Sequence, residues 1–567
     1  MYTSLPKDPQ DFMHWNWSQF EPYAIELIIR PITAANLNNW VMDWSDLNRM
    51  ISEMFARLWV ATTLNTADHD AKNRFNTFLD EIFTPSLEAN QVLKQKLLAS
   101  GLQPEGFDIP LRNMRVEAEI FRDENLPLLN EEKKLVNEYD EIIGAQTVEW
   151  EGKEVTTTQL QPIYLSLDRS KREKAWRLSM ERKLADRQKL NGLWVKMLDL
   201  RGQIARNASF MDYRAYHWKE LLRFDYTPED CMQFHQAIEQ VAVPAARRIY
   251  EKRQKRLGLT SLRPWDLNVD PLGREALKPY QTVTELEDKV SVIFHRVDPE
   301  LGKYFDIMRN KGLLDLDNRK GKAPGAYCNN YDMVRLPFIF ENAVGLHEDV
   351  VTLLHEGGHA FHVFEEAHLP YYQLLAVGME FAEVASMAME LLASPYLLAS
   401  EGGFYSEKDA ARARIEHLEE AVLFWPYMAV VDGFQHWAYT NQAEAANVEL
   451  CDQKWVELWD CFTIGVDWSG LDDLRVTGWQ RKQHIFEVPF YYVEYGLASL
   501  GAFQVWRNAL NDQKGAVAAY RRALALGGTV SIPKLYETAG ARFAFDARAL
   551  QEAVGLAEEM IERLERV

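Results

Sequence analysis

Helical periodicity constrains the fold of this chain more than any other feature of its sequence. Leu, Met, Trp and Ala recur at spacings of three and four, opposite charged faces, over residues 39–65, 70–83, 129–143 and 168–207. Such spacing places the apolar side chains along one side of an α-helix. The stretch from Lys171 to Arg206 is expected to form one long helix with a solvated face, since its heptads are too irregular for a coiled coil. The pattern predicts a mainly α fold.

Few segments favour β-structure. Thr147–Trp150 and Glu154–Thr157 flank the turn Glu151–Gly152–Lys153 and predict a small hairpin. Leu336–Phe340 is an apolar strand candidate that follows a loop rich in turn-forming residues. The hairpin marks the expected boundary between an N-terminal helical domain, residues 1–150, and a larger domain, residues 151–567.

Charge and cysteine content exclude several classes of protein. The chain has 567 residues and carries 63 Lys and Arg against 84 Asp and Glu, a net charge of −21. Nucleic acids and anionic membrane surfaces attract basic surfaces, so neither is an expected partner. The cysteines form no CxxC pair, which argues against a disulfide-built fold and against a cysteine zinc site. A reducing compartment is expected.

The sequence shows no export or membrane segment. The N-terminal stretch Met1–Pro9 lacks a basic start that is followed by an apolar run. The longest apolar run, Ala421–Val431, contains Pro426 and is shorter than the ~18 to 20 residues that a membrane-spanning helix needs. The expected location is the cytoplasm.

One motif carries most of the chemical information, namely His355-Glu356-Gly357-Gly358-His359. A spacing of four places both imidazoles on one side of a helix, where their nitrogens can converge on one Zn²⁺. Glu356 then lies beside the open position of the metal, where it can take a proton from water and pass it to a leaving amine. Adjacent glycines in a helix, each costing about 1 kcal/mol relative to Ala, indicate close packing. The alternative is a buried helix whose histidines are satisfied by core hydrogen bonds.

A catalytic zinc site needs a third protein ligand and leaves its fourth position to water. The long metzincin motif is absent, because His362 and Glu365 stand where that motif has Gly and His. The next apolar helical segment, Leu374–Ser394, offers three carboxylates on one side, namely Glu380, Glu383 and Glu390. Carboxylates in such an apolar setting need partners, and a metal is one. Spacing alone leaves Glu380 and Glu383 open as the third ligand.

At these residues the sequence resembles the thimet oligopeptidase and oligoendopeptidase F family of zinc peptidases, and its oligoendopeptidase F branch in particular. The resemblance rests on His355–His359, Phe381–Glu390, Gly325–Cys328, Pro337–Asn342 and His484–Ala498. It implies a mainly α fold in which two helical lobes flank a deep substrate channel, with a small β-sheet near the zinc helix. It also implies that residues 1–150 resemble the family's N-terminal domain and that residues 151–567 form the catalytic domain.

The resemblance further implies roles for individual residues. His355, His359 and Glu383 would bind one zinc ion per chain, with Glu356 as the general base and Glu390 behind a zinc histidine. Three residues of the C-terminal signature would line the cleft opposite the zinc and stabilise the oxyanion, namely His484, Tyr492 and Tyr495. Tyr491 is an alternative for one of the tyrosines. Without the resemblance, aromatic residues at these positions are more typical of a core.

A substrate-binding strand is also expected. An exposed edge strand can bind an extended peptide through backbone hydrogen bonds that do not depend on the peptide's sequence. The resemblance places the Leu336–Phe340 strand beside the zinc as such an edge. The expected substrate contacts are Gly325, Ala326, Tyr327, Phe338 and Phe340.

The implied activity is a zinc-dependent endopeptidase that cleaves short oligopeptides. A zinc carboxypeptidase or dipeptidyl carboxypeptidase is an alternative, because Arg481 and Lys482 lie near His484 in sequence and could hold a terminal carboxylate. A metal-free helical scaffold that binds peptides without cleaving them is a further alternative. Mn²⁺ or Co²⁺ suits the same nitrogen and oxygen ligands.

Overall fold

The computed structural model describes residues 5–567 and confirms the predicted mainly α fold. The first helices are α1 (Pro9–Phe12), α2 (Trp17–Ile29), α3 (Leu37–Leu64), α4 (His69–Phe78), α5 (Thr84–Ser100), α6 (Asp108–Ile120), α7 (Leu126–Gly144), α8 (Gln161–Tyr164), α9 (Arg169–Ala185), α10 (Arg187–Asn207), α11 (Tyr213–Glu220) and α12 (Pro228–Leu257). The remaining helices are α13 (Val283–Val297), α14 (Pro299–Asn310), α15 (His347–Glu366), α16 (Met379–Ala393), α17 (Glu407–Thr440), α18 (Gln442–Ala445), α19 (Val448–Phe462), α20 (Asp472–Val476), α21 (Gln483–Glu487), α22 (Tyr492–Asn511), α23 (Gln513–Leu524), α24 (Ile532–Thr538) and α25 (Ala547–Leu564). The strands are β1 (Thr147–Trp150), β2 (Lys153–Thr156), β3 (Leu314–Asp317), β4 (Tyr327–Tyr331) and β5 (Leu336–Ala343).

The chain forms two compact units, each assembled from three stretches of sequence. Unit 1 contains the described residues up to Glu119, together with Lys278–Ala410 and Gly501–Phe543. Unit 2 contains Ile120–Leu277, Ala411–Leu500 and Ala544–Val567. The predicted division into residues 1–150 and 151–567 concerns domains that are continuous along the chain, and it stays a prediction.

The core of unit 1 is rich in aromatic residues. Trp40 and Trp44 lie four residues apart on α3, so both indoles point to the same buried side of the helix. The indole N–H of Trp40 donates to the carbonyl oxygen of Leu27 at 2.9 Å, which ties α3 to α2. Tyr371 and Leu374, from the segment between α15 and α16, pack into the same core. The N-terminal helices therefore support the connection between these two later helices.

The three-stranded sheet of unit 1 has the order β3–β5–β4. The predicted strand Leu336–Phe340 is part of β5, which pairs in parallel with β3 and antiparallel with β4. The prediction that it is an edge strand is wrong, because both of its sides are paired. A continuous apolar run is typical of a strand buried on both faces, and the sequence pattern does not show which neighbours will pair with it. β4 is an edge of this sheet.

α15 carries the HExxH motif, and its position is fixed at its start and along its length. The Asp349 carboxylate accepts hydrogen bonds from the backbone N–H groups of Val344, Gly345 and Leu346 at 2.8–2.9 Å, which caps the first turn. Further along, a Cβ on Gly358 would lie 2.4 Å from the carbonyl oxygen of Ala385 in α16. The close packing that the paired glycines predict is confirmed at this position.

Unit 2 contains the predicted hairpin, and it contains two helices where the sequence predicts one. β1 and β2 pair antiparallel, with Thr147 opposite Thr156, which confirms the hairpin. The single helix predicted from Lys171 to Arg206 is wrong, because the chain leaves helical geometry at Asp186 between α9 and α10. The buried Asp186 carboxylate accepts hydrogen bonds from Gln146, Arg182 and Lys189. These polar contacts stabilise the break, and hydrophobic periodicity carries no signal for them.

The core of unit 2 is built around buried tryptophans. The indole N–H groups of Trp194 and Trp425 donate to the carbonyl oxygens of Ala445 and Gly496 at 2.9 and 3.0 Å. The apolar run Ala421–Val431 lies inside α17, where it contributes to this core. Across residues 5–567, none of the helices has both the length and the apolar character that crossing a membrane requires.

Candidate functional site

α15 and α16 bring the two histidines of the motif next to one carboxylate. The Nε2 atoms of His355 and His359 lie 3.4 and 3.7 Å from Oε2 of Glu383. One donor atom from each of these three residues falls within 4.8 Å of the others. Metal–ligand bonds of ~2.0–2.2 Å in a tetrahedral site place the donor atoms about 3.3–3.6 Å apart. The three side chains therefore match a zinc site with little rearrangement.

Glu380 is placed differently from Glu383. It lies one turn earlier, in the first turn of α16, and is not among the three residues whose donor atoms converge. Its backbone carbonyl oxygen accepts a hydrogen bond from the Tyr536 hydroxyl at 2.8 Å. Of the two carboxylates that spacing left open, Glu383 is the one next to both imidazoles.

Two further side chains orient this cluster. Oε1 of Glu390 lies 2.6 Å from Nδ1 of His355, so the ring N–H at Nδ1 can donate to it, which turns Nε2 toward Glu383. The Ser386 hydroxyl lies 3.0 Å from Oε2 of Glu383. A carboxylate behind a ligating histidine is the arrangement found in zinc sites, and the donor set of two nitrogens and one oxygen suits Zn²⁺.

Burial and neighbouring charges set the protonation of these groups. Burial lowers the pKa of His359 to about 4, which leaves its imidazole neutral at neutral pH. Burial opposes a charge on His355 as well, but hydrogen bonds to Glu383 and Glu390 outweigh it and raise the pKa of that imidazole. Burial favours the neutral form of Glu383, yet the His355 and His359 contacts lower its pKa overall. Glu383 is therefore ionised at neutral pH.

Glu356 lies beside this cluster and contacts the sheet. It is buried, and burial raises the pKa of its carboxyl group to about 7. The backbone N–H of Cys328, on the edge strand β4, donates a hydrogen bond to the carboxylate. Sequence reasoning missed this contact, because a backbone donor leaves no residue-type signal. It also gave no role to Ser386, although its position three residues after Glu383 places it on the same side of α16.

The predicted substrate contacts lie on and before β4 and β5. Gly325 has a positive φ of 92°, and its carbonyl oxygen accepts a hydrogen bond from Asn342. Ala326 directly precedes β4, and the ring of Tyr327 stacks on Phe340 at 4.7 Å. Phe338 and Phe340 are buried in the central strand, so a peptide cannot pair with their backbone. Their contact with substrate stays a prediction, and the strand edge itself belongs to β4.

The predicted residues of the C-terminal signature form one cluster in unit 2. The ring centroid of His484 lies 4.8 Å from that of Tyr492 and 6.0 Å from those of Tyr491 and Tyr495. Tyr492 is buried, and its hydroxyl accepts a hydrogen bond from Nζ of Lys482 at 2.8 Å. Burial lowers the pKa of His484 to about 4 and that of Lys482 to about 8. His484 is therefore neutral at neutral pH.

The chain that carries the His355–His359–Glu383 cluster is similar in sequence to known peptidases. A profile of Peptidase family M3 matches residues 164–556, which is well over half of the chain. The chain belongs to peptidase family M3. This M3 chain is 24% identical over 299 residues to the oligoendopeptidase F homologue of Borreliella burgdorferi, in an alignment that covers 51% of the chain and 48% of the relative. The chain thus spans about half the length of the curated relative that it matches.

Two solved structures extend the comparison along the whole M3 chain. PZ peptidase A, determined with an inhibitor, is 26% identical with a TM-score of 0.86, and the match covers 100% of this chain and 99% of the other. A structure designated oligoendopeptidase F is 27% identical with a TM-score of 0.88, and 98% of each chain is covered. The resemblance to the oligoendopeptidase F branch is confirmed by these matches.

Proposed function

We propose that this chain is a zinc-dependent endopeptidase that hydrolyses peptide bonds in short oligopeptides in the cytoplasm. One observation carries the proposal: in an M3 peptidase, Oε2 of Glu383 lies within 4 Å of Nε2 of both His355 and His359, beside a buried glutamate. One zinc ion per chain is proposed at this centre.

The metal would be held by His355, His359 and Glu383. When bound, Zn²⁺ supplies a Lewis acid that polarises the scissile carbonyl and makes water more acidic. Glu390 holds the ring proton of His355 at Nδ1, which keeps the Nε2 lone pair available as a ligand. Ser386 fixes the rotamer of Glu383 from within the same helix.

Glu356 is the proposed general base. One carboxylate oxygen takes a proton from the attacking water and then donates it to the amide nitrogen that leaves. The Cys328 N–H holds the carboxylate in one orientation, so that the proton is received at a fixed position. A base that is buried and held in this way loses no energy to reorientation during the reaction.

His484, Tyr492 and Tyr495 are the proposed donors to the oxyanion, with Tyr491 as the alternative tyrosine. Because Lys482 donates to the Tyr492 hydroxyl oxygen, the hydroxyl proton of Tyr492 is free to point elsewhere and becomes a stronger donor. The rings of Tyr491 and Tyr495 are half-buried, which leaves room for contact with a ligand. Such donors stabilise charge that develops only as the carbonyl carbon becomes tetrahedral.

The edge strand β4 is the proposed binding site for an extended peptide. Backbone pairing with β4 would hold oligopeptides of varied sequence next to Glu356, which the Cys328 N–H contacts. Gly325, Ala326 and Tyr327 precede or begin this strand, and Phe338 and Phe340 are proposed to contribute through their side chains only. Oligopeptides are the proposed partners, and the net charge of −21 disfavours nucleic acids and anionic membranes.

A carboxypeptidase remains the alternative, and one observation favours it. Lys482 lies in the aromatic cluster of unit 2, whereas Arg481 already donates to the carbonyl oxygen of Leu474 at 2.8 Å. Lys482 is thus the cation that could hold the terminal carboxylate of a peptide.

Peptides blocked at both ends separate the two activities. We expect cleavage inside a peptide that carries an N-terminal acetyl and a C-terminal amide group, at a rate within threefold of the unblocked peptide. Lys482→Met should leave the cleavage sites unchanged. The opposite result is cleavage of free-ended peptides only, at a fixed distance from the C-terminal carboxylate, with loss of this cleavage in Lys482→Met. That result would reject the endopeptidase and establish the alternative.

A further inference from the structure

A second set of metal-ligating side chains lies in unit 2, on helices that the proposed reaction does not use. α12 carries Cys231 and His235, and α17 carries Asp432 and His436. Each pair has a spacing of four, which places its two side chains one turn apart on the same side of the helix. All four residues are buried, with exposed fractions of 0, 7, 0 and 3% in chain order.

The two pairs meet at Asp432. Its Oδ2 atom lies 2.9 Å from Nε2 of His235 and 3.3 Å from Nε2 of His436. Donor atoms of Cys231, Asp432 and His436 lie within 4.8 Å of one another. A tetrahedral zinc site needs its donors about 3.3–3.8 Å apart, so small side-chain rotations bring these three to ligating distance. His235 lies outside the converging set, next to Asp432, and must turn further to become the fourth ligand.

Hydrogen bonding leaves part of this cluster unsatisfied. Among the described residues, Oδ1 of Asp432 is buried and accepts no hydrogen bond, and Nε2 of His436 is buried with its contact to Oδ2 of Asp432 at 3.3 Å. A buried polar atom without a partner destabilises the fold. A thiolate, a carboxylate and two neutral imidazoles together carry two negative charges, which a divalent cation balances. A buried site with no net charge is favoured in an apolar interior.

We propose that Cys231, His235, Asp432 and His436 form a second metal site that holds a structural Zn²⁺ between α12 and α17. A set of four protein ligands with one sulfur and two nitrogens leaves no open coordination position, which is typical of structural zinc. Aromatic rings of Phe462 and Phe490 lie 6.3 and 5.1 Å from those of His235 and His436, so the shell around the site excludes water. The absence of a CxxC pair concealed this site, since only one cysteine takes part.

Arg214 supports a competing, metal-free arrangement. Its Nη1 atom lies 3.3 Å from Nδ1 of His436, where it can donate a hydrogen bond and leave the ring proton of His436 on Nε2. A metal at Nε2 requires that proton to move to Nδ1, so the guanidinium must turn away. Arg214 is half-exposed and can reach water. The two states are a zinc site and a hydrogen-bonded His235–Asp432–His436 network, and metal analysis distinguishes them.

Zinc content in a background without the first site tests the proposal. The full-length double variant His359→Ala/Glu383→Ala, purified from zinc-supplemented cells and measured by plasma mass spectrometry, should keep about one zinc per chain. Adding Cys231→Ala should reduce that zinc at least fivefold. The matched control Cys451→Ala removes another buried thiol, whose Sγ lies 3.1 Å from the Ala445 carbonyl oxygen, and should keep the zinc.

Cobalt provides a second measurement that does not require the triple variant to fold. Full-length protein produced in cobalt-containing medium should show a near-ultraviolet thiolate-to-cobalt charge-transfer band, because only the second site contains sulfur. The band should persist in Cys451→Ala and disappear in Cys231→Ala. Less than one fifth of an equivalent of zinc in the double variant, or no charge-transfer band in the wild type, would overturn the proposal. If the wild type shows the charge-transfer band but has no peptidase activity, the proposed function is rejected and the proposal of a second metal site stands.

Discussion

Three glutamates near the HExxH histidines make different contacts, and these contacts are the basis for the role proposed for each. Glu383 lies against Nε2 of both histidines, while Glu390 lies behind His355 at its Nδ1 atom. Glu356 contacts neither imidazole in this way and is held by a backbone N–H of β4. Carboxylates of the same chemistry are thus proposed as ligand, support and base because each faces a different partner.

Glu356→Gln tests the general base. The amide is nearly isosteric but cannot take a proton, so zinc content should be unchanged while kcat falls by roughly 10²- to 10⁴-fold. Metal content and kcat would be measured on the same preparation, with the exposed Glu348→Gln of α15 as the control. Turnover within tenfold of the wild type would reject the role.

Replacing each candidate ligand tests the assignment of Glu383. Glu383→Ala should lose zinc far more readily than Glu380→Ala, because only the Glu383 carboxylate lies next to both imidazoles. Glu390→Ala should fall between them, with a loss of roughly 10- to 100-fold in zinc affinity. Competition with a fluorescent chelator measures all three. Zinc affinity in Glu383→Ala equal to that of the wild type would transfer the role to Glu380.

Tyr492→Phe and Tyr495→Phe test the oxyanion donors. Each change removes one hydroxyl, so zinc should remain while kcat falls by about 10²- to 10³-fold with little change in KM. Steady-state kinetics and Tm on the same preparations would show this. If both variants keep normal kcat and lose only about 1 kcal/mol of stability, the cluster is a core and the assignment is wrong.

At the scale of single residues, the spacing of the sequence predicted the HExxH motif but left open which glutamate is the third metal ligand. The spacing predicts the relative placement of His355, Glu356 and His359, because a helix fixes their positions. Glu380 and Glu383 share one side of α16, and the choice between them depends on how α16 is rotated against α15. That rotation is set by packing at Gly358 and Ala385, which no single helix encodes.

At the scale of elements, the approach of α15 to α16 positions the whole site. A Cβ on Gly358 would lie 2.4 Å from the carbonyl oxygen of Ala385 and 2.5 Å from the Cα atom of Ser386, which are backbone atoms that cannot turn aside. Contact between two backbones brings Glu383 within reach of both histidines. The spacing of the two helices therefore sets the geometry of the proposed metal ligands.

Gly358→Ala tests this dependence. The two helices must separate, so stability should fall by about 1–3 kcal/mol and zinc affinity should fall with it. Gly192→Ala is the matched control, since a Cβ there meets nothing within 4 Å and alanine favours the helix. Denaturant unfolding and zinc competition would measure both. Unchanged zinc affinity in Gly358→Ala would show that the helix spacing does not position the ligands.

Two elements show the limits of sequence patterns. The apolar run of β5 predicts a strand, but its central position depends on β3 and β4, which come from other parts of the chain. The break at Asp186 depends on a buried carboxylate that accepts hydrogen bonds from three side chains. Periodicity reports the apolar side of one element and does not report its partners.

At the scale of the molecule, the fold class was predictable and the assembly was not. Helical periodicity along most of the chain gives a mainly α protein. The division into two units that each draw on three separate stretches arises from long-range contacts, which local patterns do not contain. The predicted metal ligands belong to unit 1 and the aromatic cluster of the C-terminal signature to unit 2.

The most direct test of the central claim is mass spectrometry of products from end-blocked peptides, with and without zinc. The wild type should release internal fragments, lose this activity by at least 100-fold after chelation and regain it when zinc is restored. Glu356→Gln should release no fragments at any zinc concentration. Fragments that persist at the same rate in the chelated protein, or a zinc-loaded wild type that releases none, would contradict a zinc endopeptidase.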